Sequence, residues 1–284
     1  NQPTNTYPDP VAHCEVCPWS TECDKRRRQD DHLSLVAGMR KSHVTELNEK
    51  GINTLAQFAT QPLPLPFKPK KGSIRIYNKL REQARLQNQA RITGQPTHVV
   101  LPLEISKGFY LLPEPCVDDI FLDLEGDPFV LPAGREYLFG YMYDNTYTPI
   151  WAETEVAERQ AFEAFIDFAY AKYRANPDMH IYHYGAYETS ALKRLMLRHA
   201  TRIEQTESLL RSETFVDLFL ILRQSLMAGV EKYSLKHLER HHGYQREVDL
   251  TTVGHVKAYY EMLLQTGQVE LADENMKEII QVYN

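Results

Sequence analysis

The sequence predicts an α/β protein, a mixed sheet flanked by helices and preceded by a small helical region. Three observations carry that expectation. Residues 119–125, 137–143 and 147–152 read as strands, and within 119–125 the apolar Leu122 and Leu124 alternate with the acidic Asp123 and Glu125. Residues 155–175 place Phe162, Phe165, Ile166, Phe168 and Ala169 on the apolar side of a helix, and a further strand follows at 180–184. Residues 33–91 carry helical patterns only, interrupted by a proline-rich stretch. Strands alternating with helices make a layered α/β architecture.

Taken in order, residues 1–32 hold Cys14, Cys17 and Cys23 and then the charged run from Asp24 to Arg28. Residues 33–62 form a helical hairpin unit around Gly51, with Val44 and Leu47 on one side and Ile52, Leu55 and Phe58 on the other. Residues 63–115 are a linker and a basic helix. Four prolines between 62 and 69 forbid a helix there, and Ile74, Tyr77, Leu80 and Ala84 then recur at helical spacing. Residues 116–284 are the α/β segment. In it 180–184 is a strand, a helix runs from about residue 188 to 199, and everything beyond Asp217 reads helical apart from the turn around Gly243, with 215–230 as a buried helix.

The chain has 284 residues, 43% hydrophobic and 25% charged, which excludes wholesale disorder. Its formal charge is −6, unevenly spread. Residues 1–110 carry 16 basic and 10 acidic side chains, whereas residues 111–284 carry 16 and 28. Only the first part favours a polyanion. No run of 18 apolar residues exists, so no membrane partner is expected, and with no secretory h-region the expected location is the cytoplasm. The chain starts at Asn1 and is expected to be the middle of something longer.

Asp123 and Glu125 share one face of an apolar strand, which Gly126 and Asp127-Pro128 then end. Buried like charges need protons or cations to neutralise them, and hard oxygen donors favour Mg²⁺ or Mn²⁺. Glu188 opens the helix after the strand at 180–184, where an acidic side chain also suits the helix dipole. Asp217 is either a further carboxylate or an N-cap.

On these residues the segment resembles the RNase H-like exonucleases of the DnaQ type, the DEDD group. Asp123 and Glu125 match their D-x-E motif, and His183-Tyr-Gly-Ala-Tyr-Glu188 stands where that group has N-x-x-x-F-D. Tyr283 matches the tyrosine of a late Y-x-x-x-D motif, whose Asp would fall three residues beyond Asn284. The resemblance implies two-metal hydrolysis of phosphodiesters, with Asp123, Glu125 and Glu188 as metal ligands and Tyr283 orienting the attacking water. It also implies 3′–5′ polarity and, as substrate, single-stranded DNA ahead of RNA.

Cys14-x-x-Cys17-x5-Cys23 offers three soft ligands, which with His13 or His32 make a zinc site and without a fourth ligand remain free thiols. The spacing resembles the tail of iron–sulfur RecB-family nucleases, which implies a [4Fe–4S] cluster in the full-length protein. Residues 33–60 resemble a helix-hairpin-helix element, and Lys68, Lys70, Lys71, Arg75, Lys79, Arg81, Arg85 and Arg91 add a basic stripe suited to phosphates. The whole order is similar to RecB-family nuclease proteins that continue into a helicase, which implies a helicase domain in the same chain. The competing expectation is an inactive RNase H-like scaffold that binds nucleic acid and couples nuclease to helicase.

Overall fold

A computed structural model describes residues 7–15 and 17–284. The chain divides into two compact units, residues 1–102 with 225–245 and residues 103–224 with 246–284. In chain order, the helices α1 (Ser20–Gln29), α2 (Lys41–Glu49), α3 (Leu55–Ala59) and α4 (Ile74–Thr93) precede the short strand β1 (His98–Val100). The strands β2 (Ile120–Asp127), β3 (Arg135–Tyr143) and β4 (Thr146–Trp151) come next, then α5 (Glu155–Ala175), β5 (Ile181–His183), α6 (Tyr187–His199), α7 (Ile203–Arg211), β6 (Phe215–Asp217) and α8 (Leu218–Ser225). The run ends with β7 (Leu226–Ala228), α9 (Leu235–Leu238), α10 (Leu250–Thr266) and α11 (Glu274–Tyr283).

In the α/β unit, five strands form a mixed sheet in the order β4-β3-β2-β5-β6. β2 pairs antiparallel with β3 and parallel with β5, so it is the central strand at which the direction changes. Its alternation is the expected one: Ile120, Leu122 and Leu124 are buried while Phe121 is exposed. The apolar face packs under α5, where Phe162, Phe165 and Ile166 have no exposed surface. Burial of each such side chain stabilises by about 1.5–3 kcal/mol. Thr154 caps α5 by accepting from the Ala157 N–H at 3.1 Å.

A buried charged knot then fixes α6 against α5 and β3. Glu158 of α5, wholly inaccessible, accepts from Arg198 at 3.0 Å and His199 at 2.9 Å, both on the last turn of α6. It also accepts from the backbone N–H of Glu136 on β3 at 2.7 Å. Glu136 in turn accepts from the Tyr187 hydroxyl at 2.8 Å and from Arg194, so α6 is tied down along its whole length.

The helical unit has its own core of Leu33, Val36, Leu47, Leu55, Phe58, Tyr77 and Ala84. Ser73 caps α4, and Gly94 ends it in the left-handed conformation at φ 68°. Within this unit β1 and β7 pair antiparallel. Tyr233 accepts from the Ala228 N–H at 2.9 Å and donates to Gln83 of α4 at 2.8 Å. The expectation of one buried helix over 215–230 is therefore corrected to strand, helix, strand. Asp217 accounts for the first break, since its Oδ1 accepts from the N–H groups of Phe219 and Leu220 at 2.9 and 3.2 Å and starts α8. Pairing of Leu226–Ala228 with β1 accounts for the second.

Candidate active site

Carboxylates converge at the carboxyl end of β2. Asp123 and Glu125 lie on that strand, and a register shift against β3 falls between Glu125 and Gly126. Such a bulge re-aims the side chains around it. Asp127, buried after the bulge, accepts from Gln265 of α10 at 2.6 Å and from the Phe129 N–H at 2.8 Å.

Glu188 arrives from the parallel neighbour. β5 ends at His183, and Gly185 makes the turn at φ +96°, a conformation that side chains other than glycine's rarely adopt. The Gly185 N–H donates to Asp217 of β6 at 2.9 Å, so the carboxylate that caps α8 also fixes this turn. His183 Nδ1 lies 2.6 Å from the Gly185 carbonyl, which can only accept, so Nδ1 carries the proton. The same nitrogen is 3.5 Å from Glu188 Oε2.

Asp123 and Glu188 approach closely enough for the charge of Glu188 to bear on Asp123. Burial, then the charges of Glu125 and Glu188, push the Asp123 carboxyl up to about 7. Glu188 is 3% exposed, and its Oε2 is sealed from solvent with no hydrogen-bond partner. Such an orphaned oxygen is costly unless something positive approaches it.

Positive charge enters from α10. Lys257 Nζ donates to Glu125 Oε2 and stands 4.0 Å from Glu261 Oε1. Burial works against this ammonium, but Glu125 outweighs it and holds the lysine above its ordinary range. The Lys257 Nζ also lies 5.3 Å from the centre of the Tyr283 ring, and the Arg246 guanidinium lies 5.6 Å from it. Tyr283 thereby lies beside the lysine that faces Glu125.

The end of α11 completes the arrangement. Asn284 Nδ2 donates to Asp123 Oδ2 at 3.1 Å, and Asn284 Oδ1 accepts from the Tyr147 hydroxyl at 2.7 Å. Gly140 on β3, directly opposite Asp123, makes this approach possible. A Cβ there would overlap the Asn284 side-chain oxygen and lie 2.7 Å from the Tyr147 hydroxyl. Burial, with Asp123 and Glu125 nearby, raises the Tyr147 phenol above its ordinary range.

The donor set is all oxygen, buried and like-charged, which suits a hard divalent cation. As the side chains stand, Glu125 turns its outer oxygen to Lys257 and Asp123 turns Oδ2 to Asn284. Accordingly, among the described residues no group of three or more His, Cys, Asp or Glu side chains is arranged to hold a metal ion. The same holds for the cysteine window, where Cys14, Cys17 and Cys23 are free and partly exposed and Cys14 Sγ accepts from the Val11 N–H at 3.4 Å. Nothing among the described residues supports the expected iron–sulfur ligation.

Lys257, Asn284, Tyr147 and Gly140 lie outside the residues that the sequence pointed to. Gly140 alone left a signal, a glycine inside a strand of aromatic residues, which marks close backbone approach.

No curated protein and no solved structure matches the chain. A family model described as the RNase_H superfamily matches residues 120–284, a span that opens on β2 and takes in every residue of the carboxylate cluster. Domains of this kind are generally hydrolytic nucleases that use Mg²⁺ or Mn²⁺. With a match over more than half of its length, opening on the strand that carries Asp123 and Glu125, the chain belongs to the RNase_H superfamily.

Proposed function

We propose that the chain is a metal-dependent nuclease that hydrolyses nucleic-acid phosphodiesters as a 3′–5′ exonuclease of the DEDD kind, on single-stranded DNA. The meeting of Asp123 and Glu188 carries this reading. Two carboxyl groups from separate elements are brought together, with Glu125 close enough to raise Asp123 as well. A folded chain tolerates such an arrangement where a proton or a cation offsets the charge.

Asp123, Glu125 and Glu188 would hold the divalent ions, which when bound supply Lewis-acid stabilisation of the phosphate and an activated water. The protein's own groups do the rest. His183, fixed by the Gly185 carbonyl, holds the turn that delivers Glu188. Tyr283, beside Lys257, orients the attacking water through its hydroxyl. Lys257 neutralises Glu125 and would counter the charge developing on the phosphate.

The test is digestion of a 3′-labelled oligodeoxynucleotide in Mn²⁺ by the chain and by Asp123→Ala. The expected loss is at least about 100-fold, the scale of removing one preorganised charge-stabilising group. Equal digestion by both proteins would remove the site. Absence of digestion together with undiminished DNA binding by both would favour the inactive scaffold, a reading that the Lys257–Glu125 pair supports by occupying a carboxylate that metal binding needs.

A further inference from the structure

The two units differ sharply in charge. Residues 1–102 with 225–245 carry 18 Lys and Arg against 11 Asp and Glu, whereas the α/β unit carries 14 against 27. A polyanion is repelled by the second unit everywhere except where cations gather, and attracted by the first.

Inside the helical unit a cavity of about 510 Å³ collects that charge. Arg28 from the end of α1, Arg91 from the last turn of α4, and Lys236 and Arg240 from the 225–245 segment all line it. Among its described lining residues the single carboxylate is Glu231, and Glu231 serves to orient the arginines. It accepts from both Arg28 terminal nitrogens at 2.9 Å and from one Arg91 nitrogen at 3.0 Å. Arg28 is held from its other side by Asp24 at 2.6 Å, and Arg91 by Asp31 at 2.7 Å. Two guanidinium groups drawn from helices far apart in sequence are thus fixed side by side, which removes the rotamer entropy that an anion would otherwise have to overcome.

The lining imidazoles respond first to burial and then to the charges around them. Burial, then Lys232 and other cations, hold His237 below the ordinary histidine range, and burial, then His98, His242 and Arg240, do the same for His241.

We infer that this cavity is a phosphate-binding site, in which the fixed guanidinium groups of Arg28 and Arg91 and the cations of Lys236 and Arg240 take the backbone phosphates of a nucleic-acid strand. Identification of the anion as a strand rests on the nuclease reading above. The phosphate site itself does not.

The experiment uses the full chain in EDTA, so that no hydrolysis intervenes, with a fluorescein-labelled 20-mer oligodeoxynucleotide read by anisotropy. Lys236→Glu with Arg240→Glu, both exposed side chains, is expected to weaken binding by about 10-fold or more and to flatten its salt dependence by about one to two phosphate contacts. Lys25→Glu with Lys41→Glu, an equal charge change on exposed side chains of the same unit outside both the cavity and the basic stripe, is expected to weaken it by less than about 3-fold. Equal loss from the two pairs would mean diffuse attraction and would overturn the site. So would unchanged binding in the cavity pair with loss in Asp123→Ala, because the strand would then be held by the carboxylate region. A titration with pyrophosphate separates the sources. Pyrophosphate binding that the cavity pair abolishes, with no oligonucleotide binding, keeps the phosphate site and overturns the strand.

Discussion

Replacing Lys257 with methionine keeps the methylene stem and deletes the charge that faces Glu125. The carboxylate is left with Asp123 and Glu188 as neighbours and no ammonium opposite, so Lys257→Met is expected to lower stability in EDTA by about 1–3 kcal/mol. A divalent ion that binds only the folded chain offsets this by mass action. Thermal denaturation with and without Mn²⁺ checks it: the Mn²⁺-induced rise in Tm is expected to be larger for the variant than for the unaltered chain. An equal rise would show that lysine and ion do not compete for Glu125. At this scale the sequence revealed Asp123 and Glu125 through alternation on an apolar strand, since two acids on one buried face are costly without a proton or cation to neutralise them. It did not reveal Lys257. A lysine in an amphipathic helix is an ordinary solvated residue, and only the docking of α10 at the end of β2 gives it a partner. Asn284 and Tyr147 were equally silent, because their importance lies in a contact that Gly140 permits rather than in any local pattern.

At the scale of elements, the position of Glu188 depends on how α6 is held at its far end. Glu158 accepts from Arg198 and His199 there, and with Glu136 it ties α6 to α5 and β3. Glu158→Ala removes a fully buried carboxylate and leaves Arg135, Arg198 and His199 uncompensated around it. The expected cost is about 3–5 kcal/mol by chemical denaturation. Because α6 carries Glu188, Mn²⁺-dependent digestion at a temperature where the variant stays folded is expected to fall as well; unaltered activity there would show that the knot serves stability alone. Most elements were legible in the sequence because they run long enough to show their period. The helix Glu155–Ala175 and the strands β2 to β4 fall within two residues of their expected limits. The exceptions are three-residue strands. His98–Val100 and Leu226–Ala228 are too short to show a period of two, and their pairing across the intervening α/β sequence is a tertiary choice that no local window records.

For the whole molecule, the units make different demands on metal. The carboxylate cluster is built wholly from the α/β unit, by β2, α6, α10 and the end of α11, and the helical unit has a separate core around Leu33, Leu55 and Tyr77. A divalent ion that binds Asp123 and Glu188 stabilises the state in which β2 and α6 lie together, so it slows the opening of those elements and not of elements that supply no ligand. Hydrogen exchange of the full chain in Mn²⁺ against EDTA is therefore expected to show slower exchange across Ile120–Asp127 and the first turns of Tyr187–His199, with α2, α3 and α4 unchanged. The same comparison on Asp123→Asn separates ligation from a general ionic effect, since the substitution keeps the size of the side chain while removing its charge. Protection that persists in Asp123→Asn, or that spreads evenly over the helical unit, would place the ion elsewhere. Protection confined to β2 and α6 and lost in the variant would tie metal binding to the strand on which the charge pattern first appears.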